Sequence, residues 1–136
     1  MDYKEFFEEV NDQLGLTSKS SYVNNPPGLA TEDLFSPSDK LLSLAESAEE
    51  NGFEKVEIVE FGGDKFQVAY MSNHGSIKHD GAEINHVYAV FKDRKFLFYF
   101  RVYGTYSSYD DPVWEDPSEW AVVNPKKVEN YVWSIR

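Results

Sequence analysis

The chain has 136 residues, is 41% hydrophobic and 16% aromatic, and carries a formal net charge of -11. That length fits one domain, and a disordered acidic chain would be far poorer in rings. The charge repels nucleic-acid phosphates and anionic lipids, and the lack of cysteine excludes disulfides and thiolate metal sites.

Residues 2 to 14 have the spacing of an amphipathic helix. Phe6, Phe7, Val10 and Leu14 share one stripe, Asp2, Glu5, Glu8, Glu9 and Asp12 take the other positions, and Gly15 is a stop. The segment is acidic and lacks the basic and apolar regions of a signal peptide. No apolar run approaches the roughly 20 residues that cross a bilayer. The expected location is the cytoplasm.

Residues 16 to 36 hold the breaker run NNPPG and read as a loop, with one turn of helix around Glu32 to Phe35. Ser36 or Ser38 caps a second predicted helix, whose stripe is Leu41, Leu42, Leu44, Ala45 and Ala48 and which ends at Asn51-Gly52. Strands follow. Residues 54 to 61 and 65 to 71 flank a turn at Gly62-Gly63-Asp64, and 72 to 83 form a polar loop. Residues 85 to 92 and 95 to 103 make a second hairpin around Asp93-Arg94. Strict alternation places Phe96, Phe98, Phe100 and Val102 on its inward face, and Leu97, Tyr99, Arg101 and Tyr103 on the other. Two short closing strands are expected at 119 to 123 and 129 to 135, with Trp133 in the core. The reading is one α+β domain over 1–136. A helical part at 1–52 contains the loop 16–36, and a mainly antiparallel sheet of about five to six strands fills 53–136. Both helices are expected on one face of that sheet.

Catalytic motifs are sparse. There is no Gly-x-Ser-x-Gly elbow, and Gly62-Gly63-Asp64 lacks the Lys-Ser/Thr of a phosphate loop. Imidazole and carboxylate meet in sequence at His74, His79, Asp80 and His86, a set able to hold a transition metal. Its spacing matches no known motif, and turn chemistry explains it as well. No cofactor is expected. Thirteen basic residues against twenty-four acids disfavour direct nucleic-acid binding. Lys92, Arg94, Lys95 and Arg101 cluster at the second hairpin, where pairing with the chain's own acids is the simpler role.

The segment Gly104 to Asn124 stands apart: five carboxylates, no Lys or Arg, and several rings. Tyr106, Tyr109, Asp110, Asp111, Trp114, Glu115, Asp116 and Glu119 are its expected partner-binding residues. Unpaired acids steer a basic protein, and rigid rings anchor it at low entropic cost. The plainer alternative is a solvated acidic face.

The last third also resembles small accessory proteins encoded by bacteriophages. The pattern runs Gly-x-Tyr-x-Ser-Tyr (here Gly104 to Tyr109), an acidic loop with Trp114, and Val123-Asn124-Pro125-Lys126 before a final aromatic strand. Asp111 replaces the glycine usual after Ser-Tyr-Asp. The resemblance implies a phage or prophage origin and carries no catalytic role. The functional expectation is a non-enzymatic inhibitor of a basic host or bacterial-defence protein, acting by nucleic-acid mimicry. Alternatives are an immunity protein that neutralises a toxin nuclease, or a small nucleotide- or metal-binding protein or enzyme.

Overall fold

The computed structural model describes residues 1–18, 29, 31–50, 56–73, 83–105 and 113–125. Helix α1 spans Tyr3–Leu14. The Asp2 carboxylate accepts from the Lys4 and Glu5 N–H groups at 3.1 and 3.3 Å, so the first-turn donors are satisfied. Gly15 ends the helix at φ 66°, a left-handed position that favours glycine. A 3-10 turn, which the loop reading of 16–36 did not anticipate, follows at Leu16–Ser18. Helices α2 (Thr31–Phe35) and α3 (Lys40–Glu49) come next. The residue before α3 is Asp39, not a serine, and its side chain makes no capping bond. The predicted stop at Asn51-Gly52 lies outside the described residues.

Among the described residues the sheet has six strands, all pairs antiparallel: β1 (Glu57–Phe61), β2 (Asp64–Asn73), β3 (Glu83–Lys92), β4 (Lys95–Thr105), β5 (Val113–Trp114) and β6 (Ala121–Val123). Two-residue turns close both hairpins. Gly62 and Gly63 sit at φ 60° and 83°, and Asp93 and Arg94 at 52° and 64°. Positive φ at both central positions gives the turn the twist of its strands. β4 pairs with β3 along one side, and with β6 and then β5 along the other. The predicted strand at 129 to 135, Trp133 included, falls outside the described residues. So do most of the loop 72 to 83 and all of 106–112.

The helices do not share a face, as the sequence reading had them. Phe6, Phe7 and Val10 of α1 pack with Val59, Phe66, Val68, Tyr70, Tyr88, Val90, Phe100 and Val102. Leu41, Leu42 and Ala45 of α3 pack with Ala69, Met71, Ala89, Phe91 and Tyr99. Register explains the division. Tyr70, Tyr88 and Phe100 lie across from one another on one face, and Ala69, Ala89 and Tyr99 on the other. Bulky rings on the first face meet α1, and alanines on the second let α3 approach closely.

Phe96 corrects the alternation too. Val90 opposes Phe98 but Phe91 opposes Phe96, so Leu97 is the extra residue of a bulge. Phe96 therefore joins Phe91 and Tyr99 beneath α3, while Phe98 and Phe100 stay beneath α1. Phe100 is fully buried; Phe96 and Phe98 are half-buried. Among the described residues no helix is long and apolar enough to cross a membrane.

Candidate functional site

The acid-rich strip enters the described structure at β5. Trp114 lies opposite Gly104 and Val113 opposite Thr105. The Trp114 ring sits over Gly104, where an added Cβ would come within 2.5 Å of it. The His86 ring also lies beside it, 4.7 Å away between centroids. Trp114 is half-buried on the sheet, not held out in solvent.

Beyond β5 the chain is pinned bond by bond. Glu115 N–H donates to the Tyr103 carbonyl at 2.9 Å, extending the β4 pairing. The Asp116 carboxylate accepts from Ser118 N–H at 3.1 Å and so caps a 3-10 turn at Pro117–Glu119. Trp120 closes the unit. Its indole N–H donates to the Glu115 carbonyl at 3.2 Å, and its ring stacks on Phe100 at 5.6 Å and 15°. This ring, one of those that mark the segment in sequence, is a rivet that is 6% exposed. Glu115, Asp116 and Glu119 remain exposed on this turn.

Trp120 also joins this turn to α1, through Phe7 at 5.8 Å. The solvent side of α1 displays Glu5, Glu8 and Asp12, with Lys4 as its one base. Two acid-bearing elements that are far apart in sequence, α1 and the turn at Pro117–Glu119, thus pack against each other. Between them runs an open groove of about 350 Å³, lined by Tyr3, Lys4, Phe7, Ser118, Trp120 and Val122 among others. Sequence reasoning missed Tyr3 and Val122 as surface-forming residues. Tyr3 and Val122 are 45% and 37% exposed. The mixed stripe Tyr3–Phe6–Phe7, wider than a helix needs to cover one sheet, was the available signal.

The expected site residues Tyr106, Tyr109, Asp110 and Asp111 lie outside the described residues. So do His74, His79 and Asp80 of the metal set. The fourth, His86, is 2% exposed, and its ring packs edge-on against Tyr70 and beside Trp114. Among the described residues no group of three or more His, Asp or Glu is placed to hold a metal ion. At the second hairpin two of the bases meet the chain's own acids. Lys92 pairs with Asp64 at 3.2 Å and Arg94 with Glu46 at 2.7 Å.

In comparison with known proteins, no family model, no curated protein and no solved structure matches the chain. Nothing in those comparisons points to an enzyme.

Proposed function

We propose that the chain is a non-enzymatic acidic binding protein that occupies the basic, nucleic-acid-binding cleft of another protein. The observation that carries this reading is the joining of two acid-bearing elements. Glu5, Glu8 and Asp12 on α1 and Glu115, Asp116 and Glu119 on the capped turn are exposed on two elements that Phe7 and Trp120 join. Exposed carboxylates on folded elements stand in for phosphates, and their summed field speeds the approach of a basic surface. With the phage origin implied by the ending of the chain, the partner is a host or bacterial-defence protein, and binding inhibits it.

The test has two stages. The chain is used to capture protein from a bacterial lysate at low salt, and the captured protein is then assayed for nucleic-acid binding. Displacement of nucleic acid by stoichiometric amounts of the chain is the expected result. A variant with Glu8, Glu115, Asp116 and Glu119 changed to amides should associate more slowly, with a flatter dependence on ionic strength. Unchanged association by a folded variant, or a captured protein whose nucleic acid is not displaced, defeats the reading.

A further inference from the structure

Arg101 is the cation that the second hairpin leaves over. Lys92 and Arg94 each meet an acid, and Lys95 is exposed. Arg101 lies further along β4, on the face that α3 covers, since Tyr99 two residues before it packs there. Its Nε is buried and has no hydrogen-bond partner, and no acid among the described residues pairs with it. A buried donor without an acceptor is destabilising. A chain with twenty-four Asp and Glu had acids to spare for this one.

Register sets the surroundings. Val87 of β3 lies opposite Arg101 on one side and Ala121 of β6 on the other. Val123, opposite Tyr99, shares their face, and so do Asn85 and Tyr103, the next pair along. Ala89 and Tyr99 are buried beneath α3, but Arg101 and these five neighbours are half-buried. The cover from α3 thus gives out where the arginine stands. One cation is set there among two valines and an alanine, with an amide and a phenol at the next pair.

We propose that Arg101 anchors a binding site for a small monocarboxylate with an apolar body. The guanidinium is a rigid fork matched to the two oxygens of a carboxylate, and Nε is one of its prongs. Val87, Ala121 and Val123 take the apolar body. Charge selects a monocarboxylate over phosphate. One guanidinium neutralises one negative charge, and a chain of net charge -11 repels a dianion more strongly. The site is on the α3 face, whereas α1 and Trp120 pack on the other, so it stands apart from the acidic-binder reading.

The probes are benzoate, acetate, inorganic phosphate and benzamide, the uncharged isostere of benzoate, added to the full chain at constant ionic strength. Benzoate should shift the Arg101 Nε–H resonance saturably. It should raise Tm by about 3–7 °C at about ten times its dissociation constant. Acetate should bind more weakly, and phosphate and benzamide about ten-fold more weakly or less. Arg101→Met keeps the stem and removes the orphaned donor, so it should fold with an equal or higher Tm and lose the response. Arg101→Lys keeps the charge without the fork and should bind benzoate about ten-fold more weakly. An Arg101 resonance that benzoate leaves in place overturns the site without recourse to any variant. Equal responses to benzoate, phosphate and chloride mean an adventitious ion only and overturn it too. Phosphate binding more tightly than benzoate overturns the carboxylate. A lower Tm for Arg101→Met shows that the guanidinium already has its partner within the fold, and the proposal fails.

Discussion

The Gln13 carboxamide grips the peptide groups of Glu60 from both directions. Glu60 N–H donates to Gln13 Oε1 at 3.0 Å, and Gln13 Nε2 donates to the Glu60 carbonyl at 2.8 Å. The two-residue turn at Gly62-Gly63 makes Phe61 and Asp64 the closing pair, so the Glu60 backbone points away from β2, towards the outer edge of the sheet. An open edge invites pairing with another chain. Here α1 supplies a side-chain amide in place of a neighbouring strand. Two residues beyond Ile58 on the same side, Val56 N–H is taken by the Glu49 carboxylate of α3 at 3.2 Å. The edge is thus clamped from both faces. Gln13→Ala should raise the exchange rate of the Glu60 amide and cost about 1 kcal/mol. Amide exchange and urea unfolding check both. Unchanged exchange at Glu60 would show that the clamp does not protect the edge.

The turn between β3 and β4 sets two effects against each other. Arg94 sits at φ 64°, where a side chain is strained, yet its guanidinium pairs with Glu46. Both partners are about half-exposed, so water and salt weaken the pair. The left-handed backbone strain outweighs what remains of the ion pair. Arg94→Gly should therefore stabilise the fold, raising Tm by about 2–5 °C. A fall in Tm would mean that the ion pair wins.

How far the sequence told this structure depends on what each element needed. Helix α1 was legible because its signals are local: a 3.6-residue stripe and Gly15 as stop. Both hairpins were legible from their turns. The two-sided covering of the sheet was not read, although a signal for it exists. Val68-Ala69-Tyr70-Met71 and Val87-Tyr88-Ala89-Val90-Phe91 are continuous apolar runs, as in strands buried on both faces. The shift of Phe96 could not be read, because a bulge at Leu97 leaves no mark in the unbroken apolar run 96–100. At the candidate site the exposed carboxylates were evident from charge alone. The union of α1 with the acidic turn was not, since it depends on Phe7 meeting Trp120 across more than a hundred residues.

Tyr99 ties α2 to the sheet and makes stability sensitive to high pH. Its hydroxyl donates to the Leu34 carbonyl at 3.0 Å. Burial, and then the nearby negative charge of Asp33, push its pKa up to about 12. The folded state holds this proton more tightly than the unfolded chain, where tyrosine titrates near 10. The contribution is therefore whole below pH ~10 and is lost as pH rises from ~10 through ~12. Its full size is roughly 2 kcal/mol. The useful quantity is the difference between wild type and Tyr99→Phe, which isolates this one proton. Wild type should lose more stability than the variant across that window. Parallel curves would show that the Tyr99 proton is not coupled to folding.

Gly104 and Trp114 test whether the acidic strip is held in place by shape. The backbone of Gly104 does not demand glycine by its φ; the Trp114 ring does, since a Cβ would meet its Cε3 at 2.5 Å and the Val113 carbonyl at 2.9 Å. A flexible side chain would swing aside cheaply. A half-buried indole wedged beside His86 has little room, and the carbonyl belongs to the paired backbone of β5. Gly104→Ala should cost about 1–3 kcal/mol, as overpacking of a tight site does. Trp114→Ala should relieve much of that, so the double variant should be less destabilised than the sum of the singles. The remaining clash with the Val113 carbonyl predicts incomplete relief. The same cycle, read by the amide shifts of Glu115 and Ser118, reports the turn itself. If Trp114 positions the acids, those shifts move in both single variants. If they stay fixed while stability falls, Trp120 alone holds the turn, and Trp114 serves only the sheet beneath it.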